Sequence, residues 1–366
     1  MNQKEKQRFL LNGFYLQAIR PDDLKTNDAL LAYSSLAGQY FDGLPSSLFK
    51  YKNFSNEGHV FEMLEQGYLY FSGAEKQNDQ FECLVSLNKE KIASLSEAKM
   101  FRLYRKAVIN TLLENVPGLT RPVLEDIVRK VVKNGEIDEQ EVSSYLSSNY
   151  PKECQKALPV IHQCLSKEES YFQNEDFTKP IVEAIDELPE KRKHIGICSL
   201  SETNGSQVMW DYYANHYNGC CIEYDFSRLS PTTLTKPFGV MALPVLYTKK
   251  RSNDLLESLL VSMVKSILLS AQGKMDYSYL FSFLHVFFEK NSEWSFEREW
   301  RILLVDSPLP KVVAPPIKAV YLGKSVAKDS NNRDLVLSIA KQKGFSVFEQ
   351  SDDFDHLSFT FRQIVL

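Results

Sequence analysis

The block Glu293-Trp-Ser-Phe-Glu-Arg-Glu-Trp-Arg301 sets carboxylates, guanidinium groups and indoles side by side. On a strand, alternate side chains share a face. Glu297, Glu299 and Arg301 then point one way, and Phe296, Arg298, Trp300 and Ile302 the other. Two carboxylates one residue apart on a face repel, which raises one pKa and suits acid–base work. Arg301 can cancel that effect. The plainer reading is an edge strand whose carboxylates pair with nearby Lys or Arg, while Trp300 and Ile302 pack inward.

Two other clusters carry chemistry. Ser206 to Tyr217 reads as a short helix closed by Asn218-Gly219, with Met209, Trp210, Tyr213 and Tyr217 on one stripe. Such a stripe is ordinarily core, yet Trp210 and Tyr213 carry polar handles that could floor an aromatic pocket. His216 falls on the polar side. Asn78-Asp79, with Glu82, reads as a turn device or as a polar loop closing over a ligand. Ser199 and Ser201 end a strand, but no Gly-x-Ser-x-Gly surrounds them, which weakens a serine-hydrolase reading. Asp79, Glu82, Glu297 and Glu299 could converge on a divalent ion, though no standard ligand spacing supports this.

The elements that must position these groups follow from periodicity and turn residues. Residues 1–45 read as an N-terminal helical arm. Residues 46–366 read as a single α+β domain with a mixed or antiparallel sheet core and a large helical insertion at about 90–190. Strands are expected at Ser47–Lys52, Tyr68–Ser72, Phe81–Val85, His194–Leu200, Cys220–Asp225, Val245–Tyr247, Glu299–Val305, Ile317–Leu322, Phe345–Glu349 and Leu357–Val365. Helices are expected at 56–65, 98–113, 122–132, 152–165, 254–271, 277–290 and 329–342. Gly67 and Gly344 sit where helix C-caps belong.

Composition narrows the classes. The 366 residues carry a net charge of −4, which argues against a surface built for nucleic acid or anionic membrane. The six cysteines form no Cys-x-x-Cys pair, so a zinc site is not expected, and no metal ligand is assigned to the candidate site. Residues 1–8 are polar and no signal-length apolar run follows. No run of about twenty apolar residues offers a membrane span. Reduced, buried thiols in a cytoplasm fit best. No Gly-x-Gly-x-x-Gly or Gly-x-x-x-x-Gly-Lys occurs, leaving a Rossmann or P-loop site without support.

Four segments resemble a bacterial family catalogued as domain of unknown function 2971. They are Phe49-Lys-Tyr-Lys52 with Gly67-Tyr-Leu-Tyr-Phe-Ser72 and Asn78-Asp-Gln-Phe-Glu82; Ile197-Cys-Ser-Leu-Ser201 with Met209-Trp-Asp-Tyr-Tyr-Ala214 and His216-Tyr-Asn-Gly219; Lys290, Trp294 and Glu297-Arg-Glu-Trp-Arg301; and Ile317-Lys-Ala-Val-Tyr-Leu-Gly323. The resemblance spans roughly residues 48–325. Gln80 stands where the family has proline, and Lys50 and Lys52 where it favours arginine. The family implies a site rather than a reaction.

The opening strand-helix-strand also resembles, remotely, the start of ADP-ribosyltransferase domains. Those place a basic residue on the first strand, Ser or Tyr on a middle strand and Glu on a late one, an order matched by Lys50, Ser199 and Glu299. The usual first residue is Arg or His. The resemblance implies NAD as substrate, with no cofactor firmly implied. A carboxylate would stabilise the positive charge left on ribose, and Tyr51 or Trp210 would stack on nicotinamide. This reading requires Lys50, Ser199 and Glu299 to face one pocket. The alternatives are a metal-dependent nuclease and a non-catalytic module of a stress or phage-defence system, whose insertion meets a protein partner. The full candidate site is Lys50, Tyr51, Asn78, Asp79, Ser199, Trp210, Tyr213, Glu297, Glu299 and Arg301.

Overall fold

The computed structural model describes residues 1–18, 27–55, 59–79, 82–83, 190, 192–228, 241–250, 284–305, 311–328 and 330–366, with scattered positions between 102 and 149. Contacts divide the chain into two units. One comprises Met1–Cys83, Glu190–Lys250 and Phe287–Leu366; the other comprises Leu84–Pro189 and Arg251–Val286.

The first unit opens with α1 (Gln3–Ala18), α2 (Asn27–Gly43), β1 (Ser47–Asn53), α3 (Val60–Gln66), β2 (Tyr68–Tyr70) and β3 (Ser72–Gly73). In the second unit, β4 (Val132–Lys133) pairs antiparallel with β5 (Glu136–Ile137). The first unit resumes with β6 (Ile195–Ser201), α4 (Gln207–Tyr213), β7 (Gly219–Asp225), β8 (Leu243–Pro244), β9 (Leu246–Thr248), β10 (Glu289–Asn291) and β11 (Glu299–Val305). It ends with β12 (Lys311–Val313), β13 (Ile317–Leu322), α5 (Asn331–Lys343), β14 (Ser346–Asp353) and β15 (Ser358–Ile364).

Among the described residues, one sheet runs β15-β14-β13-β7-β1-β6-β11-β8, with β3 also on β6. Neighbours are antiparallel except β13 and β14, which are parallel and joined through α5. A parallel pair needs such a crossover. The architecture is α+β, with a mixed, mostly antiparallel sheet. No described helix is long and apolar enough to cross a membrane.

Register decides which side chains share a face. Phe49 lies opposite Ser201, and Ser201 opposite Glu299. By alternation Tyr51, Ser199 and Arg301 join them. This face is covered by α4: Tyr51, Met209, Trp210, Ala214 and Cys221 form one buried cluster. Lys50, Cys198 and Trp300 take the other face. There the Trp300 indole meets Phe9 of α1 edge to face at 5.4 Å.

Local signals explain the boundaries. The Ser206 side chain accepts from Met209 N at the start of α4, and the Ser330 side chain accepts from Arg333 N at the start of α5. Gly67 and Gly344 end α3 and α5 in the left-handed conformation, at φ 64° and 81°. Gly219 has a different reason. A Cβ there would stand 2.3 Å from the Lys52 carbonyl oxygen.

Several expectations change. Tyr68–Ser72 is not one strand, since it breaks between β2 and β3. The helix from Ser206 stops at Tyr213, because Asn215, His216 and Tyr217 all take positive φ. The end of the helix expected at 277–290 is a 3-10 turn, His285–Phe288, followed by strand β10. Glu82 and Cys83 lie in a turn rather than a strand; the other residues expected in that strand lie outside the described ones. Residue 132, expected to end a helix, belongs to β4. The helices expected at 152–165 and 254–271 lie outside the described residues; within 98–113 the described residues, Arg102, Tyr104, Arg105, Lys106, Val108, Ile109, Leu112 and Leu113, are helical.

Candidate active site

Strand β11 pairs with β6 on one side and β8 on the other, so it is no edge strand where Trp300 and Arg301 stand. Both its faces are covered. Trp300 and Ile302 pack inward as expected, but Glu299 and Arg301 are buried too, at 3% and 0% exposure. Arg301 Nε donates to Glu299 Oε1 at 2.8 Å, and Arg301 Nη2 donates to Oε2 at 2.9 Å. This bidentate pairing is the strongest geometry available to the two groups.

Glu297 arrives differently from expectation. It ends a 3-10 turn, Ser292–Glu297, rather than lying on the strand. Asn291 caps this turn, its side chain accepting from Glu293 N, and Arg298 closes it in the left-handed conformation at φ 45°. The turn carries Glu297 to Lys290 on β10. That strand is held by a parallel ladder in which Lys290 stands opposite Tyr247 of β9. Lys290 Nζ donates to Glu297 Oε2 at 2.6 Å and to Glu299 Oε2 at 3.2 Å. The Glu299 backbone N–H donates to Tyr247 OH at 2.8 Å.

A third carboxylate completes the centre. Glu82 N donates to the Asp79 carbonyl oxygen. Glu82 Oε2 lies 3.4 Å from Lys290 Nζ, and Glu82 Oε1 contacts Arg301. Arg301 Nη1 also donates to the Phe287 carbonyl at 2.5 Å. Asp79 bears on Arg301 electrostatically. Four buried carboxylates, Asp79, Glu82, Glu297 and Glu299, thus surround two buried cations.

Taking such charges out of water costs several kcal/mol each, so the centre stands only through mutual compensation. Burial pushes the Glu299 carboxyl up to about 7; Lys290 opposes the shift and Glu297 adds to it. Burial alone would lower Lys290, but Glu299 and Glu297 outweigh it and hold the ammonium well above its ordinary value. Burial draws Arg301 down to about 9 against the pull of Asp79, so it stays charged at neutral pH.

The network reaches the surface at one end. Tyr213 OH donates to Glu297 Oε1 at 2.6 Å, and exposed Asn78 donates to Tyr213 OH at 3.2 Å. Burial, then Glu297, raises the Tyr213 phenol, which keeps its proton. Trp294 lies over Lys290 Nζ at 5.0 Å, and exposed Tyr212 meets Trp294 edge-on. Asn78, Tyr213, Tyr212 and Trp294 therefore form an amide and aromatic rim.

The structure brings together Glu297, Glu299, Arg301, Tyr213, Asn78 and Asp79. Ser199 hydrogen-bonds the Glu299 carboxylate. Lys50 does not join them. It occupies the opposite face, and its Nζ donates to the Ser199 carbonyl oxygen at 2.6 Å. Tyr51 and Trp210 are core: Tyr51 OH donates to Thr203 O, and Trp210 Nε1 to Asn204 O. The candidate list lacked Lys290 and Glu82. Periodicity alone places Lys290 at the end of a helix. Its signal was electrostatic, since buried carboxylates demand a cation. The four cysteines among the described residues, Cys83, Cys198, Cys220 and Cys221, are buried and form no disulfide.

Among the described residues, no group of three or more His, Cys, Asp and Glu side chains is arranged to hold a metal ion. Glu82, Glu297 and Glu299 do converge, but around Lys290 and Arg301. No curated protein and no solved structure matches the chain. One protein family does, and its match at residues 209–302 contains Tyr213, Lys290, Glu297, Glu299 and Arg301. Over that span the chain is similar to the family described as protein of unknown function (DUF2971).

Proposed function

We propose that this chain is an acid–base enzyme. Its substrate docks at the Asn78, Tyr213 and Trp294 rim, and the network behind Tyr213 handles the proton. One observation carries the reading. Buried Glu299, whose carboxyl burial raises to about 7, shares Lys290 with Glu297, the acceptor of the Tyr213 hydroxyl. A group poised near neutral pH is what acid–base catalysis requires. Tyr213 and Asn78 touch substrate in this reading, while Glu297, Lys290, Glu299 and Arg301 set the charge behind them. The rim suits a planar ring, through stacking on Trp294 and hydrogen bonds to Tyr213 and Asn78.

The arrangement that the remote resemblance to ADP-ribosyltransferases requires, with Lys50, Ser199 and Glu299 facing one pocket, is not met, because Lys50 lies on the other face of the sheet. NAD enters the test only as one compound with a planar ring. The test incubates purified chain with NAD and, separately, with a bacterial metabolite extract, and follows loss of compounds by mass spectrometry. Consumption of NAD or another compound that falls at least about a hundredfold in Tyr213→Phe supports the reading. No consumption by the wild type, or equal consumption by the variant, overturns it.

The completeness of the ion pairing favours a second reading, a non-catalytic module of a bacterial stress or phage-defence system in which the network only staples strands. In that case Tyr213→Phe keeps its full cellular effect wherever it keeps its fold.

A further inference from the structure

A second polar site lies at the carboxyl end of β13, where the chain leaves the strand for α5 and returns as parallel β14. A cavity of about 360 Å³ opens there. Its lining includes Lys324, Lys328, Arg333 and Arg362, against a single lining carboxylate, Glu349. Glu349 is shared: Arg333 Nη2 donates to Oε1 at 2.9 Å and Arg362 Nη2 to Oε2 at 3.1 Å. Lys324 pairs with Asp352 at 2.6 Å. Four cations against these two carboxylates leave the site positive.

Two buried donors in this lining have no partner. Gln350 is 5% exposed, and its Oε1 accepts from the Lys324 backbone N–H at 3.2 Å. That bond fixes the amide orientation, because a flipped amide would set N–H against N–H. It leaves Nε2 buried with no acceptor. Arg333 Nε is buried without an acceptor as well. An unsatisfied buried donor costs about 1–3 kcal/mol, more on a charged group. The side chains that carry both donors line one electropositive cavity, and α5 begins beside it at the Ser330 cap. A helix start at the carboxyl end of a parallel strand favours negative charge.

We propose that this cavity binds a phosphate group, with Gln350 Nε2 and Arg333 Nε as buried donors and Lys328 and Arg362 as surface charges. The site is separate from the Glu299 centre and independent of the function proposed for it. Its volume exceeds one phosphate and accommodates a small phosphorylated molecule.

The test is isothermal titration of the full chain with inorganic phosphate and, separately, with adenosine monophosphate, at constant ionic strength held with chloride. The wild type is expected to bind at least one of them saturably below about 10 mM. The double variant Lys328→Gln/Arg362→Gln, altered only at exposed positions, is expected to bind at least about tenfold more weakly with a melting curve changed by no more than an exposed ion pair's worth. Gln350→Leu, where its melting is preserved, is expected to weaken binding too. Tighter binding of the monophosphate assigns the site to a phosphorylated metabolite, and equal binding to free phosphate. No saturable binding of either probe, as when internal water satisfies Gln350, overturns the proposal. So does undiminished affinity in the double variant.

Discussion

Lys290 Nζ lies 2.6 Å from Glu297 Oε2, and both side chains are shut away from solvent. A buried ion pair of this kind is costly to break from one side, because the surviving charge keeps its desolvation penalty. Lys290→Met would strand Glu297 and Glu299 together. We expect it to lower stability by about 3–5 kcal/mol in urea unfolding. Lys318→Met is the contrast. Its ion pair with Glu223 is 57% exposed on the lysine side, so we expect a loss of only about 0–1 kcal/mol. Equal effects would show that the Lys290 centre carries no special energy.

Arg298 takes φ 45° between the two glutamates. A left-handed residue with a side chain costs roughly 1 kcal/mol, and glycine does not incur it. Arg298→Gly should therefore leave stability unchanged or raise it by up to about 1 kcal/mol. Arg298→Val should lower it by more than that, since β-branched residues fit this region worst. Thermal melts of the two variants decide the matter.

Glycine-to-alanine changes should split in sign. At Gly219 a Cβ would meet the Lys52 carbonyl oxygen at 2.3 Å and that of Ala214 at 2.8 Å, both backbone. We expect Gly219→Ala to cost about 1–3 kcal/mol or more. At Gly38, within α2, nothing lies within 4 Å of the added carbon. There alanine should stabilise by about 0.5–1 kcal/mol through helix propensity.

Much of this fold was legible in the sequence. Strand β13 has the bounds its alternation implied, and α5 ends at Gly344 for the reason its position suggested. Glu299 and Arg301 share a face as period two requires. What could not be read was long-range. Lys290 sits on a three-residue strand whose ladder partner, β9, is some forty residues away in sequence, so its apolar neighbours imitated a helix. Glu297 reaches its place through a left-handed Arg298, which no periodicity announces. Lys50 alternates with Tyr51 as expected, but only the registers Phe49–Ser201 and Ser201–Glu299 place it across the sheet from Glu299.

Burial pushes the Glu299 carboxyl up from its ordinary 4.5 to about 7. A raised carboxyl favours the fold in its protonated form. Its contribution is fully present below about 4.5 and is lost as pH rises through about 7. Lys290, held above its ordinary 10.5, brings no change across this window. Stability should therefore fall between pH 4.5 and 7 by an amount on the order of 3 kcal/mol from this group. Comparing unfolding of the wild type and Glu299→Gln across those pH values isolates the term. The variant should lack this slope, so its stability relative to the wild type should rise by about 3 kcal/mol across that window.

The central claim is that Glu299 exchanges a proton near neutrality within a network ending at Tyr213. The most direct measurement follows the glutamate carboxyl carbons by NMR from pH 4 to 9 (about the range that brackets ordinary and raised carboxylates). The account predicts one side-chain carboxyl titrating at about 7 that is absent in Glu299→Gln. Glutamates that all titrate near their ordinary value, with Glu299 among them, would contradict it.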